Sequence, residues 1–257
     1  MTSGSGEEVA VITGASRGIG AAIAERFAAR GSAVACVATS VENAEPVADR
    51  LRTTYGVRAI AVGISVQDRE SVEAGLSLIE GELGPISVLV NNAGVSGVTA
   101  FLDMPVEDFD RVIGVNVRGV FLCAQGVARR MVASGIRGTI VNIGSITGVN
   151  GFPKRMGYAA SKAAVHHMTK IMALDLVDYG IRVNCVAPGY IRTDMVNDLI
   201  ETGALNDGAL KNRIPMKELG TPEDIAAAVD WISSNAARYT TGETLFIDGG
   251  WNAYGHV

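Results

Sequence analysis

Apolar and polar residues along the chain alternate between two rhythms. Short β-branched runs of strand length occupy residues 9–13, 33–37, 59–64, 88–91, 139–143, 182–186 and 244–247. Helix-length patterns lie between them, over 18–30, 71–83, 108–132, 158–179 and 222–234. Nearly continuous apolar strands separated by helices predict an α/β fold, a doubly wound sheet of seven mostly parallel strands flanked by helices on both faces. No linker, repeat or low-complexity tract divides residues 1–257, so one domain is expected, with 1–7 as a flexible leader. The segment 191–218 follows a strand but is longer and more irregular than the other crossovers. Insertions after strand carboxyl ends are where α/β proteins build lids, and a substrate lid is expected there.

Composition narrows the function classes. The 257 residues are 48% hydrophobic and 19% charged, enough for one large core. A net charge of −5 lacks the basic footprint of a nucleic-acid binder. No apolar run reaches membrane-span length, and the first residues lack a signal-peptide pattern. The expectation is a cytoplasmic protein without nucleic-acid or membrane partners. Cys36, Cys123 and Cys185 are odd in number, far apart and set among apolar residues, which predicts buried free thiols rather than disulfides or a metal site.

Two motifs carry chemistry. The first strand runs into Gly14-Ala-Ser16-Arg17-Gly18-Ile19-Gly20 and then a helix. Glycines there permit a tight turn and let backbone N–H groups approach a pyrophosphate at the helix N-terminus. The second is Tyr158-Ala-Ala-Ser-Lys162, whose tyrosine and lysine share one helix face. A phenol alone is a weak base at neutral pH, and an ammonium one turn away favours the phenolate.

With TGASRGIG at 13–20, NNAG at 91–94, Asn116, Ser145, YAASK and APG at 187–189, the chain resembles the short-chain dehydrogenase/reductases over essentially its whole length. The resemblance implies a Rossmann-type sheet, a nicotinamide cofactor, and hydride transfer between a small carbonyl compound and its alcohol. It implies Tyr158 as general acid/base, Lys162 as its electrostatic partner and holder of the nicotinamide ribose, Ser145 as donor to the substrate oxygen, and Asn116 as holder of a relay water. Further implied cofactor contacts are Asn92, Ala93, Gly94, Pro188, Gly189, Ile191 and Thr193; Asn91 lines the cofactor or ties neighbouring strands. Ser65 and Val66 would meet the adenine, Ser65 standing where relatives carry Asp or Asn.

The second strand ends without a carboxylate, and Arg17, Thr39 and Ser40 could read a ribose 2′-phosphate. NADP(H) is therefore the expected cofactor and NAD(H) the alternative, with Arg17 then a plain exposed turn residue. Ser96, Ile146, Val149, Phe152, Met156, Tyr190 and Met195 are the expected substrate pocket, mostly apolar, while Arg155 could bind an acid group or face solvent. Within the family the chain is similar to 3-oxoacyl-carrier-protein reductases and to polyol or secondary-alcohol dehydrogenases. Against a carrier-protein partner, the helix after Lys170 continues with Asp175 and Asp178. His166, His167, Met168 and Met172 read as packing or interface residues. A homotetramer is expected, with a dimer second. A serine hydrolase elbow fails because Ile143 stands two residues before Ser145. A non-catalytic cofactor-binding sensor would be expected to have lost Tyr158 or Lys162; both are present.

Overall fold

The computed structural model describes residues 7–201 and 206–255, the side chains at 194, 195, 198 and 199 excepted. The leader 1–7 thus lies outside it but for Glu7, which pairs with Arg58. Seven strands, β1 Val9–Thr13, β2 Ala33–Ala38, β3 Ala59–Gly63, β4 Val88–Asn91, β5 Thr139–Ile143, β6 Arg182–Pro188 and β7 Thr244–Ile247, form one sheet in the order β3-β2-β1-β4-β5-β6-β7. Every pairing is parallel. The strand order reverses between β1 and β4, which opens a crevice at their carboxyl ends.

The helices are α1 Gly18–Ala29, α2 Val41–Tyr55, α3 Arg69–Leu83, α4 Val106–Ile113, α5 Gly119–Ala133, α6 Met156–Leu176, α7 Asp194–Glu201, α8 Asp207–Arg213 and α9 Pro222–Ser233. They cover both faces of the sheet and divide the core in two. Phe27, Ile23, Leu51, Ile225 and Val229 pack one face from α1, α2 and α9. Leu76, Ile79, Val127 and Met131 pack the other from α3 and α5. Helix starts follow local chemistry. Asp68 caps α3 by accepting from the N–H groups of Glu70 and Ser71, and Thr221 with Asp224 forms a capping box ahead of α9, Pro222 opening that helix.

One expected element is corrected. The helix expected over 108–132 is interrupted by a π turn at Gly114–Arg118, where the backbone accommodates the anchored side chain of Asn116. The irregular crossover 191–218 carries two short helices, α7 and α8. The three cysteines are free and buried as expected, and burial pushes each thiol up to about 12. Among the described residues no helix is long and apolar enough to cross a membrane.

Candidate active site

Because the sheet is parallel, residues following β1, β4, β5 and β6 gather at one edge. Ser145 follows β5 by two residues and is 7% exposed. Its Oγ accepts from Thr147 N–H at 3.1 Å and from Thr147 Oγ1 at 3.0 Å. Both are accepted bonds, which leaves the serine's own proton for an outside acceptor. Lys162 is 5% exposed, donates from Nζ to the Ile143 carbonyl at 2.7 Å, and lies 5.7 Å from the centre of the Tyr158 ring. Tyr158 itself is partly buried in the first turn of α6.

Asn116 is buried behind them. Its Oδ1 accepts from Val95 N–H at 2.8 Å, and its Nδ2 donates to the Val95 carbonyl at 2.9 Å and to Ser161 Oγ at 3.0 Å. Both amide protons are committed, so a relay water could be held only through its carbonyl oxygens. Asn91 donates to Asn142, which donates to Thr169, each at 2.9 Å, so this asparagine ties β4 to β5 and α6.

At the glycine turn, Thr13 Oγ1 accepts the N–H groups of Asn92 and Ala93, each at 3.0 Å. Asn92 donates from Nδ2 to the carbonyls of Thr13 and Gly14, each at 3.0 Å. Its Nδ2 donors are thus spent on shaping the turn. Gly14 (φ +67°) packs so closely that a Cβ there would sit 2.9 Å from Ala93 Cα. Gly18 (φ +54°) opens toward Thr193 alone, 3.6 Å from where its Cβ would be. Gly94 approaches the Asn116 side chain. No side chain caps α1 and no carboxylate lies in its first turn, so the N–H groups around Gly18, Ile19 and Gly20 stay available beside Ser16. Arg17 is exposed and forms no ion pair among the described residues.

Thr39 Oγ1 accepts from Asn43 Nδ2 at 3.1 Å. The Glu42 carboxyl is held below its usual range by its own backbone N–H and by the Ser40 hydroxyl, which places a negative charge beside Ser40, one of the expected phosphate readers. Ser65 is exposed, its N–H donating to Ser71 Oγ at 2.9 Å, and Val66 packs over Gly119.

Past Pro188, Gly189 N–H donates to Ile247 O at 2.8 Å. Gly220 then bridges the chain, donating to Tyr190 O at 3.0 Å and accepting from Arg192 N–H at 2.7 Å. The intervening Ile191 N–H takes no acceptor among the described residues. Thr193 Oγ1 accepts from Val196 N–H at 3.4 Å.

The expected substrate pocket is only partly assembled. Phe152 stacks on Trp251 with ring centres 5.9 Å apart, and Tyr190 meets the same indole at 5.3 Å. Arg155 Nη1 donates to Ser96 Oγ at 2.8 Å. Val149 and Met156 are exposed. Ile146 is buried, at 2% exposure. The Met195 side chain lies outside the described ones. A cavity of about 490 Å³ opens between Tyr190, Ile214, Met216, Leu219 and Gly249, and none of Ser145, Tyr158 or Lys162 lines it.

Known proteins place this arrangement. The sequence model of the family described as enoyl-(acyl carrier protein) reductase matches residues 14–252. A 2-(R)-hydroxypropyl-CoM dehydrogenase of Xanthobacter autotrophicus is 41% identical over 95% of this chain and 98% of its own length. The chain belongs to the short-chain dehydrogenase/reductase family. It is 40% identical to a 3-oxoacyl-(acyl-carrier-protein) reductase of Vibrio cholerae, over 95% of this chain and 96% of that one. The crystal structure of a gluconate 5-dehydrogenase from Burkholderia cenocepacia in complex with NADP and tartrate superposes with a TM-score of 0.91 at 35% identity, covering 97% of this chain and 96% of that one. This short-chain dehydrogenase/reductase is therefore an oxidoreductase that works with a nicotinamide cofactor. Its residues fit such a group: a glycine cradle opposite Thr193, an uncapped helix start for the pyrophosphate, and the Ile191 N–H for an amide.

Two neighbours of the site were not singled out from sequence as site residues. His166 is 8% exposed, and its Nε2 accepts the Ser145 N–H at 3.3 Å. A Cβ on Gly144 or Gly148 would lie 2.3 or 2.7 Å from the imidazole, so those glycines make the room it occupies. Periodicity marks position 166 as inward-facing but gives no sign of what it meets. Trp251 comes from the far end of the chain, and only the fold brings it to Phe152 and Tyr190.

Proposed function

We propose that this protein interconverts a ketone and a secondary alcohol with NADP(H), as a carbonyl reductase of the 3-oxoacyl type, with Tyr158 as general acid/base. The observation that carries the reading is the buried Lys162 ammonium, anchored on Ile143 O 5.7 Å from the Tyr158 ring, beside a Ser145 hydroxyl whose proton is uncommitted. When bound, the nicotinamide supplies or accepts the hydride. Ser145 donates to the substrate oxygen and fixes its position. Tyr158 gives that oxygen a proton on reduction and takes it back on oxidation. Lys162 stabilises the phenolate this leaves and orients the nicotinamide ribose through its remaining N–H bonds. Asn116 holds the segment around Val95 and Ser161 in place behind α6.

Segment 191–218 is the lid over the substrate, with the Phe152–Trp251–Tyr190 rings as one wall. The single unit 1–257 assembles as a homotetramer in the cytoplasm.

A second reading is an NAD(H)-dependent secondary-alcohol or polyol dehydrogenase. The Glu42 carboxylate favours it, because a negative charge in the first turn of α2, just past β2, opposes a 2′-phosphate. The related gluconate 5-dehydrogenase, which acts on a polyhydroxy acid, is consistent with a polar substrate.

The test is NADPH oxidation with a panel of small ketones by wild type and Tyr158→Phe. Wild-type turnover that falls by about 10³-fold in the variant, with cofactor binding retained, is expected for loss of an acid/base group. Undiminished turnover in Tyr158→Phe would overturn the assignment.

A further inference from the structure

Arg155 stands immediately before α6, three residues ahead of Tyr158 and on the same side of the helix start. The neighbouring Lys154 holds a left-handed backbone, φ +63°, although it is not glycine. Its carbonyl accepts from Thr99 N–H at 3.0 Å, while Arg155 reaches Ser96 Oγ at 2.8 Å. Two bonds thus staple the 150–155 loop to the 95–99 segment, and a strained residue is held where the guanidinium is aimed.

What Arg155 lacks is a counter-charge. Arg26, Arg30, Arg50, Arg52, Arg58 and Arg130 each have a carboxylate partner. Arg213, the other cation by the aromatic wall, stacks on Trp251 at 4.4 Å and donates to the carbonyls of Trp251 and Tyr254. Arg155 is half-buried, has one serine hydroxyl, and forms no ion pair among the described residues. A guanidinium carries five donors, so most of its fork stays open. Its charge reaches Tyr190, where it opposes the upward push of burial on that phenol. Arg155, three residues ahead in sequence of the tyrosine proposed to move the proton, therefore bonds one expected pocket residue, Ser96, and its charge acts on a second, Tyr190.

We propose that Arg155 is the specificity-determining residue for an anionic substrate. The ketone or alcohol carries an oxyanion, such as a carboxylate, on its far side, and the guanidinium holds that group while Ser145 and Tyr158 hold the reacting oxygen. A planar, bidentate donor suits a carboxylate, and half-burial strengthens the pair. The inference rests on the ketone–alcohol reading above and adds the charge of the substrate to it.

The experiment compares the keto acids 3-oxobutanoate, 4-oxopentanoate and 5-oxohexanoate with their methyl esters, as kcat/KM ratios. Each ratio is internal to one enzyme, so a general loss of activity in a variant cancels. In wild type at least one acid exceeds its ester by about tenfold or more, the worth of one charge-assisted pair. In Arg155→Gln that ratio collapses toward one through KM, and Arg155→Lys restores part of it. Acetate, which has the anion without the carbonyl, competes with the acids in wild type and not in Arg155→Gln. Esters preferred throughout, or an acid-to-ester ratio untouched in Arg155→Gln, overturns the proposal. If no ketone turns over, the reductase reading fails separately. Calorimetric titration of 4-oxopentanoate into the cofactor-saturated protein then decides: binding lost in Arg155→Gln supports the anion site, and no binding to wild type overturns it.

Discussion

The residue that ties the candidate site to its support is His166. Burial, with the positive charges of Lys162 and Lys170 adding to it, lowers its pKa from 6.5 to about 4. The imidazole is therefore neutral at neutral pH and can accept the Ser145 N–H. Facing it from other elements are Phe246, edge-on at 5.8 Å, and near Gly144 the Cys185 thiol, which burial keeps protonated. The linkage has one sign. Between pH 6.5 and about 4 the unfolded chain binds a proton that the folded chain refuses, so stability falls as pH drops through that window and levels off below it. Denaturant midpoints measured from pH 7 to 4 should drop for wild type, and drop less for His166→Leu. Equal slopes for the two would remove His166 as the cause.

At the scale of elements, the turn after β1 and the junction of β2 with α2 are where the proposed NADP(H) preference is tested. Arg17, in the turn between β1 and α1, carries a cation with no ion pair among the described residues, whereas Glu42, with Ser40, offers an anion at the start of α2. Titration with NADPH and NADH should show NADPH bound about tenfold more tightly, a difference of about 1.4 kcal/mol. Arg17→Ala should reduce that preference, and Glu42→Gln should increase it. NADH ahead in wild type would hand the site to the second reading. Most elements could be read from the strand-length runs and helical patterns, and all seven strands fall where the β-branched runs lie. The break at Gly114–Arg118 could not be, because its cause is the clasp between Asn116 and Val95, 21 residues apart in sequence. Helix α2 is not among the helix-length patterns, because its polar surface and internal Pro46 weaken the helical signal.

At the scale of the molecule, large apolar side chains remain in solvent on α5 and α6, including Phe121, Ile171 and Leu174, and Trp231 and Tyr239 do so near the last strand. Surfaces of that kind favour self-association. Sedimentation should give a tetramer, and Leu174→Glu should lower the assembly state; a wild-type monomer would refute the proposed assembly.

The sequence by itself determined the class of sheet, the order of its elements and the identity of the glycine turn and the tyrosine–lysine pair. These depend on periodicity and short spacing, which survive in one dimension. Tertiary structure alone decided how polar groups are committed. Asn92 and Asn116 use their amides on backbone and Ser161 partners, Ile146 is enclosed in the core, and His166, Trp251 and Arg155 reach Ser145, Phe152 and Ser96 respectively. Those commitments depend on contacts between distant segments, and a hydrogen bond is specified by direction and distance in space, which residue spacing along the chain does not encode.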